Sequence, residues 1–104
     1  MSAWAWDEWE APEGYVDVKS VTPAWEQEGA LVIFWIGREL EGANIRKAFS
    51  QRCAVSSTGQ LTPDPEVNVI ATLDARPNWT IAHVQRAPDG HFGVSLEWIS
   101  VSSA

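Results

Sequence analysis

Three side chains in this 104-residue sequence have the chemistry of a reactive site: Cys53, His83 and His91. A cysteine beside a histidine base can act as a nucleophile, and His83, Asp89 and His91 could contribute ligands to a metal ion. These residues form no recognisable local motif, however, and a metal site would need a fourth ligand at a suitable spacing. We therefore interpret Cys53 as a small buried thiol with no functional link to the histidines, and we expect no metal and no cofactor.

The sequence motifs of the common enzyme classes are absent. The chain contains no GxxxxGK[ST], GxGxxG, HExxH or GxSxG pattern. Its 14 acidic residues could include a catalytic carboxylate pair, but a solvated acidic face gives the same count, and a hydrolase needs two acids that converge in a cleft. The sequence therefore favours a binding protein over an enzyme.

Acidic residues are concentrated in the first part of the chain. The formal net charge is −7, and residues 1–41 contain nine acids against Lys19 and Arg38, whereas residues 42–104 contain five acids and five bases. Nucleic acid and anionic membranes are poor partners for such a chain, because clustered Lys and Arg are needed to bind them. The basic cluster Arg46, Lys47 and Arg52 would not share one helix face. A basic protein surface is the partner that this charge favours.

Residues 1–14 combine tryptophans with carboxylates, and Pro12 and Gly14 close the segment. We divide the chain into this acidic N-terminal arm and one globular domain, residues 15–104. The arm either lays its indoles over the edge of the core, or serves as a recognition arm whose indoles supply contact area and whose carboxylates orient the partner, or is disordered. The residues that we predict to bind a partner are Trp4, Trp6, Asp7, Glu8, Trp9, Glu10, Glu26 and Glu28.

The longest apolar run, residues 30–37, reads Ala-Leu-Val-Ile-Phe-Trp-Ile-Gly. Its β-branched and aromatic residues, its short length and its flanking glycines predict a strand that is covered on both faces. Residues 15–22 alternate in polarity and predict a second strand, which ends at Pro23. These two strands could form an antiparallel pair.

Residues 38–54 allow two interpretations. Asn44 is a fair N-cap, and Ile45, Ala48 and Phe49 recur at helical spacing, so we predict a short helix over residues 45–53. The alternative is a strand that follows a hairpin at residues 41–44. In that case Lys47 and Gln51 would point inward, which is costly unless both side chains are paired.

Residues 56–66 predict a loop, and the last third of the chain predicts a three-stranded meander over residues 67–73, 79–86 and 92–101. Pro88, Asp89 and Gly90 are a strong hairpin signal between the last two strands. The predicted fold class is α+β: a mostly antiparallel five-stranded sheet with one short helix. The alternative is an all-β sandwich or barrel.

The single cysteine gives no intramolecular disulfide, and the first residues lack the basic start and apolar stretch of a signal peptide. No apolar run approaches the ~20 residues that span a bilayer. We therefore expect a soluble cytoplasmic protein.

The leading functional hypothesis is a small acidic inhibitor that blocks a basic surface of a partner protein, such as a toxin or a nucleic-acid-binding effector. Its carboxylates would act as a nucleic-acid mimic at the partner's Lys and Arg side chains. An immunity protein and a phage-encoded inhibitor of a host defence complex, such as an anti-CRISPR, are the two biological versions. The alternative is a structural or assembly subunit that forms a homo-oligomer, for example a phage particle component, and a small enzyme using Cys53 or a histidine is the third hypothesis.

Overall fold

The computed structural model describes residues 9–27 and 29–99. Its strands are Tyr15–Gln27 (β1), Ala30–Glu39 (β2), Lys47–Val55 (β3), Leu61–Pro63 (β4), Asn68–Thr72 (β5), Trp79–Arg86 (β6) and Phe92–Trp98 (β7). No helix occurs within these described ranges. The predicted α+β class is therefore wrong, and the structure has the all-β class that was the alternative.

The strands form two antiparallel sheets. In the larger sheet the order is β1-β2-β3-β4, and β5 also pairs with β3. Because β4 and β5 share one edge of β3, the sheet is four strand positions wide. The smaller sheet is the β6–β7 hairpin, which has the predicted turn at its tip.

The predicted continuous meander over the last three strands is wrong, because β5 belongs to the larger sheet and β6 to the smaller one. Backbone hydrogen bonds hold the chain after β5 against Arg46, from Leu73 N to Arg46 O at 2.9 Å and from Arg46 N to Asp74 O at 2.8 Å. The chain then crosses to the second layer, where Lys19 Nζ donates to Pro77 O at 2.8 Å. Residues 73–78 are thus a connection between layers and not a hairpin turn.

Strand β2 is buried on both faces, which confirms the prediction for residues 30–37. One face presents Leu31, Ile33 and Trp35 to a cluster that also contains Phe49 and Cys53. The other face presents Val32, Phe34 and Ile36 to the β6–β7 hairpin. Successive side chains of a strand point to opposite faces, so an unbroken apolar run requires cover on both sides.

The helix predicted over residues 45–53 is wrong, because this segment forms strand β3. Burying Lys47 and Gln51 without partners would destabilise a strand here, but both side chains have partners. Gln51 is only 3% exposed, yet its Oε1 accepts from Trp9 Nε1 at 2.7 Å and its Nε2 donates to Asp64 O at 2.7 Å. Lys47 Nζ lies 2.5 Å from Glu39 Oε1. Tertiary partners thus remove the cost that argued against a strand.

Strand β1 is irregular, and its irregularity attaches the hairpin. Asp17 and Ser20 have positive φ angles of 55° and 58°, and the register with β2 shifts on both sides of Lys19. Ser20 Oγ accepts from Ile81 N at 2.8 Å and lies 3.0 Å from Thr80 Oγ1. The bulges turn a hydroxyl toward β6, which gives the second layer a fixed contact with the first.

Asp74 and Arg76 hold the connection between the layers. Asp74 Oδ1 accepts from Trp79 Nε1 and Asp74 Oδ2 from Arg76 Nε, both at 2.8 Å. The Arg76 guanidinium lies 4.0 Å from the ring centroid of Trp98, within the range of a cation–π contact. The hydrogen bonds from Arg76 and Trp79 lower the pKa of Asp74 well below its ordinary value.

Substituting Gln51→Leu should lower the free energy of unfolding by about 1–3 kcal/mol, because it leaves the Trp9 N–H and the Asp64 carbonyl without their partner. Urea denaturation followed by tryptophan fluorescence measures the change. Gln85→Leu, on the exposed side of β6, is the matched control and should have little effect. Equal stabilities for Gln51→Leu and the native chain would contradict the structural role of this amide.

Substituting Asp74→Asn should destabilise the protein at neutral pH and have a smaller effect in acid. A carboxyl whose folded pKa is depressed contributes stability that is full above its unfolded pKa, about 4, and is lost as pH falls through the folded pKa. Thermal unfolding of the native protein and the variant, from neutral pH to well below pH ~4, measures how the difference in stability changes with pH. Glu66→Gln, at an exposed site, is the control, and a pH-independent difference for Asp74→Asn would contradict the linkage.

Candidate partner-binding surface

The eight residues predicted to bind a partner divide into two groups. Five of them lie outside the described residues: Trp4, Trp6, Asp7, Glu8 and Glu28. The other three, Trp9, Glu10 and Glu26, are described, and the structure places them in different surroundings. Their role in binding remains a prediction.

Trp9 packs on the edge of the core. Its ring centroid lies 4.9 Å from that of Trp35, with the planes tilted by 50°, and its N–H is bonded to Gln51. Beneath it, Trp35 stacks on Phe49 at 5.4 Å. This indole therefore covers apolar surface of its own domain, as in the first of the three alternatives for the arm.

Glu10 is exposed, whereas Glu26 is paired within the domain. Glu26 Oε1 lies 2.7 Å from Arg52 Nε, across from β1 to β3. A carboxylate held in this way is less available to a partner than a free one. Of the predicted acids within the described residues, Glu10 is the one that faces solvent without an ion pair in this part of the chain.

Packing also accounts for most of the other described tryptophans. Trp35 has no exposed surface, and Trp79 and Trp98 are half-buried beside Arg76. Trp25 is 43% exposed. The high tryptophan content is therefore mainly a property of the core within residues 9–27 and 29–99, and it adds little to the argument for a docking face there.

The charges of the described residues are unevenly paired. Five of the seven basic side chains form ion pairs with carboxylates: Arg38 and Arg46 with Asp17, Lys47 with Glu39, Arg52 with Glu26, and Arg76 with Asp74. The side chains of Arg38 and Arg46 also lower the pKa of Asp17. Among the described acids, those without an ion pair are Glu10, Glu13, Glu41, Asp64, Glu66 and Glu97.

One group of carboxylates lines a groove together with an exposed apolar side chain at the end of the β1–β2 pair. A shallow groove of about 440 Å³ is lined by Glu13, Glu39, Leu40 and Glu41, together with glycines and Tyr15. Leu40 is 56% exposed, and its N–H donates to Gly14 O at 2.8 Å, which joins the turn after β2 to the start of β1. We call Glu13, Glu39, Leu40 and Glu41 the acidic end.

The acidic end was not singled out from the sequence, although Glu13, Glu39 and Glu41 belong to its negative first part. The signal that could have found it is Leu40 between two glutamates just before the predicted hairpin at residues 41–44. Leu40 belongs to neither core cluster of the described residues and its side chain is exposed, so it can contact another molecule.

The residues with potential catalytic chemistry lie apart in the fold. Cys53 has no exposed surface, and burial, with a smaller contribution from the charge of Asp64, raises the pKa of its thiol to about 11. His83 is exposed on β6, and His91 Nδ1 lies 3.0 Å from Asp89 Oδ2 at the hairpin tip. No group of three or more potential metal ligands is found within residues 9–27 and 29–99.

Comparison with protein families, with curated proteins and with solved structures gives no match to this chain. Within the residues that the structure describes, no helix is long and apolar enough to cross a membrane. The chain's own side chains are therefore the basis for its function.

Cys53 should resist alkylation by iodoacetamide in the folded protein and react fully after unfolding in guanidinium chloride. The thiolate is the reactive form, and both burial and the raised pKa suppress it. Intact mass before and after treatment measures the modification, with no other cysteine in the chain to complicate it. Rapid alkylation under native conditions would contradict this placement of the thiol.

Proposed function

We propose that this protein is a small acidic binding protein that inhibits a partner by covering a basic surface of it. An immunity protein that neutralises a toxin and a phage-encoded inhibitor of a host defence complex are the two biological versions. The single observation that carries the proposal is that most basic side chains are neutralised inside the domain, while six described carboxylates are left unpaired. The negative charge is therefore presented to other molecules.

The acidic end is the surface on which we place the first contact. Charged side chains around an interface steer the approach of a partner and orient it, and an apolar residue at the centre contributes most to the lifetime of the complex. Glu13 and Glu41 supply the charge, and Leu40 supplies the apolar centre. A Lys- or Arg-rich surface that normally holds phosphates would meet carboxylates here instead.

A second candidate function is a structural or assembly subunit. The observation that favours it is the set of exposed apolar side chains that do not line the acidic end, namely Trp25, Val69, Ile70 and Ile99. A stable homo-oligomer in sedimentation experiments, with these side chains protected from solvent, would support assembly over inhibition.

Immobilised protein should retain basic proteins from a lysate at low salt and release them at high salt, because exposed charges are screened within about 10 Å at 0.1 M ionic strength. The double variant Glu13→Gln with Glu41→Gln should slow association with a retained, purified partner by about tenfold at low salt. Stopped-flow kinetics at several salt concentrations measure this effect. Inhibition of the partner's own activity is then assayed with the same variant.

The double variant Asp64→Asn with Glu66→Gln is the matched control, since it removes the same charge at another exposed place. It should slow association much less. Failure to retain any basic protein at low salt would contradict the proposed function. Equal effects of the two double variants would show that net charge alone, and not the acidic end, determines binding.

A further inference from the structure

The second layer of the fold covers only part of the first. The β6–β7 hairpin supplies two strands, whereas the sheet beneath it is four strand positions wide. An open cleft of about 490 Å³ remains between β7 and β5. Its apolar lining comes from Val32, Phe34, Ile70, Ala71, Val94 and Leu96.

The cleft follows β7. Phe92, Val94 and Leu96 of β7 line it, together with Gly90 and His91 of the hairpin turn. The strand part from Phe92 to Leu96 is about 13 Å long at ~3.3 Å per residue. Strand β5 forms the opposite wall, with Ile70 39% exposed at the rim. A groove that runs beside a strand and is lined by alternate side chains of that strand matches an extended chain with alternate side chains turned inward.

The free edge of β7 is regular and unprotected. Within the described residues β7 pairs only with β6, so one of its edges has unpaired backbone N–H and C=O groups. The irregularity in this ladder lies on β6, between Ile81 and His83, and leaves β7 continuous. No proline or lysine interrupts β7, in contrast to the bulged edge strand β1.

The electrostatic environment of the cleft is neutral to negative. Strands β5 and β7 contain no Lys or Arg, and Glu97 on β7 is exposed. Arg52 lines the cleft but is paired with Glu26. A guest strand whose inward residues are apolar would place its outward residues beside Glu97, where basic side chains are favoured.

We propose that the cleft binds an extended segment of a partner protein, with alternating apolar and basic residues, which pairs with the free edge of β7 and completes the second layer. Main-chain hydrogen bonds provide the affinity, and the apolar cleft selects alternate side chains. The inference rests on the proposed function only for the sign of the charge on the guest.

The test uses the full chain and a fluorescein-labelled peptide of sequence Val-Lys-Val-Lys-Val-Lys-Val as the probe. The variant Ile70→Arg should weaken binding of this peptide by about tenfold, because it places a long cation at the rim of the groove. Val69→Arg is the matched control, since Val69 is 52% exposed on the same strand but does not line the cleft. Both substitutions lie at exposed sites, so both proteins should fold. Fluorescence anisotropy measures the dissociation constants.

Hydrogen exchange supplies the second measurement. Saturating peptide should slow the exchange of β7 amides, and a peptide N-methylated at alternate residues should bind at least about tenfold more weakly, because it cannot complete the ladder. The proposal is overturned if Ile70→Arg and Val69→Arg weaken binding equally, or if the N-methylated peptide binds as well as its parent. It is also overturned if dodecanoate binds in the cleft and the peptide does not, or if β7 joins β7 of a second copy instead. These results do not depend on capture by the acidic end, so the two proposals can fail separately.

Discussion

The structure depends on one requirement: strand β2 has no face that can meet water. Its side chains alternate between two apolar clusters, and leaving either one exposed would cost the burial energy of several large side chains, about 1.5–3 kcal/mol each. Trp9, β1 and the chain near β4 cover one face, and the β6–β7 hairpin covers the other. The two-layer arrangement, the crossing of residues 73–78 to the second layer and the packing of Trp9 on the core all follow from this single strand.

Local signals were sufficient where the determining residues are close in sequence. The apolar run gave β2, and Pro88-Asp89-Gly90 gave the β6–β7 hairpin, because both are set by residues next to one another. Strand β3 could not be recognised in this way, since its helical and strand periodicities were equally good. What decides for a strand is the pairing of Gln51 with Trp9, 42 residues away, and with the carbonyl of Asp64. A rule based on neighbouring residues cannot see either partner.

The sequence predicts the sign of the charge on the candidate surface, but it does not predict where on the fold that surface lies. Composition gave the negative first part, yet which carboxylates remain free depends on strand register, as with Glu39 beside Lys47 and Glu26 beside Arg52. The acidic end arises because the hydrogen bond from Leu40 to Gly14 brings two turns together. Trp9 shows the opposite case, in which a residue type suited to binding is used for packing.

The Ser20–Ile81 hydrogen bond spans 61 positions in the chain, and it affects the order of events during folding. Strands β1, β2 and β3 are joined by short connections, so their contacts close small loops and we expect them to form early. The hairpin can dock only after a large loop has closed. Until then Val32, Phe34 and Ile36 form an uncovered apolar face on a partly folded chain, which makes the interval before docking the stage at which self-association competes with the native state.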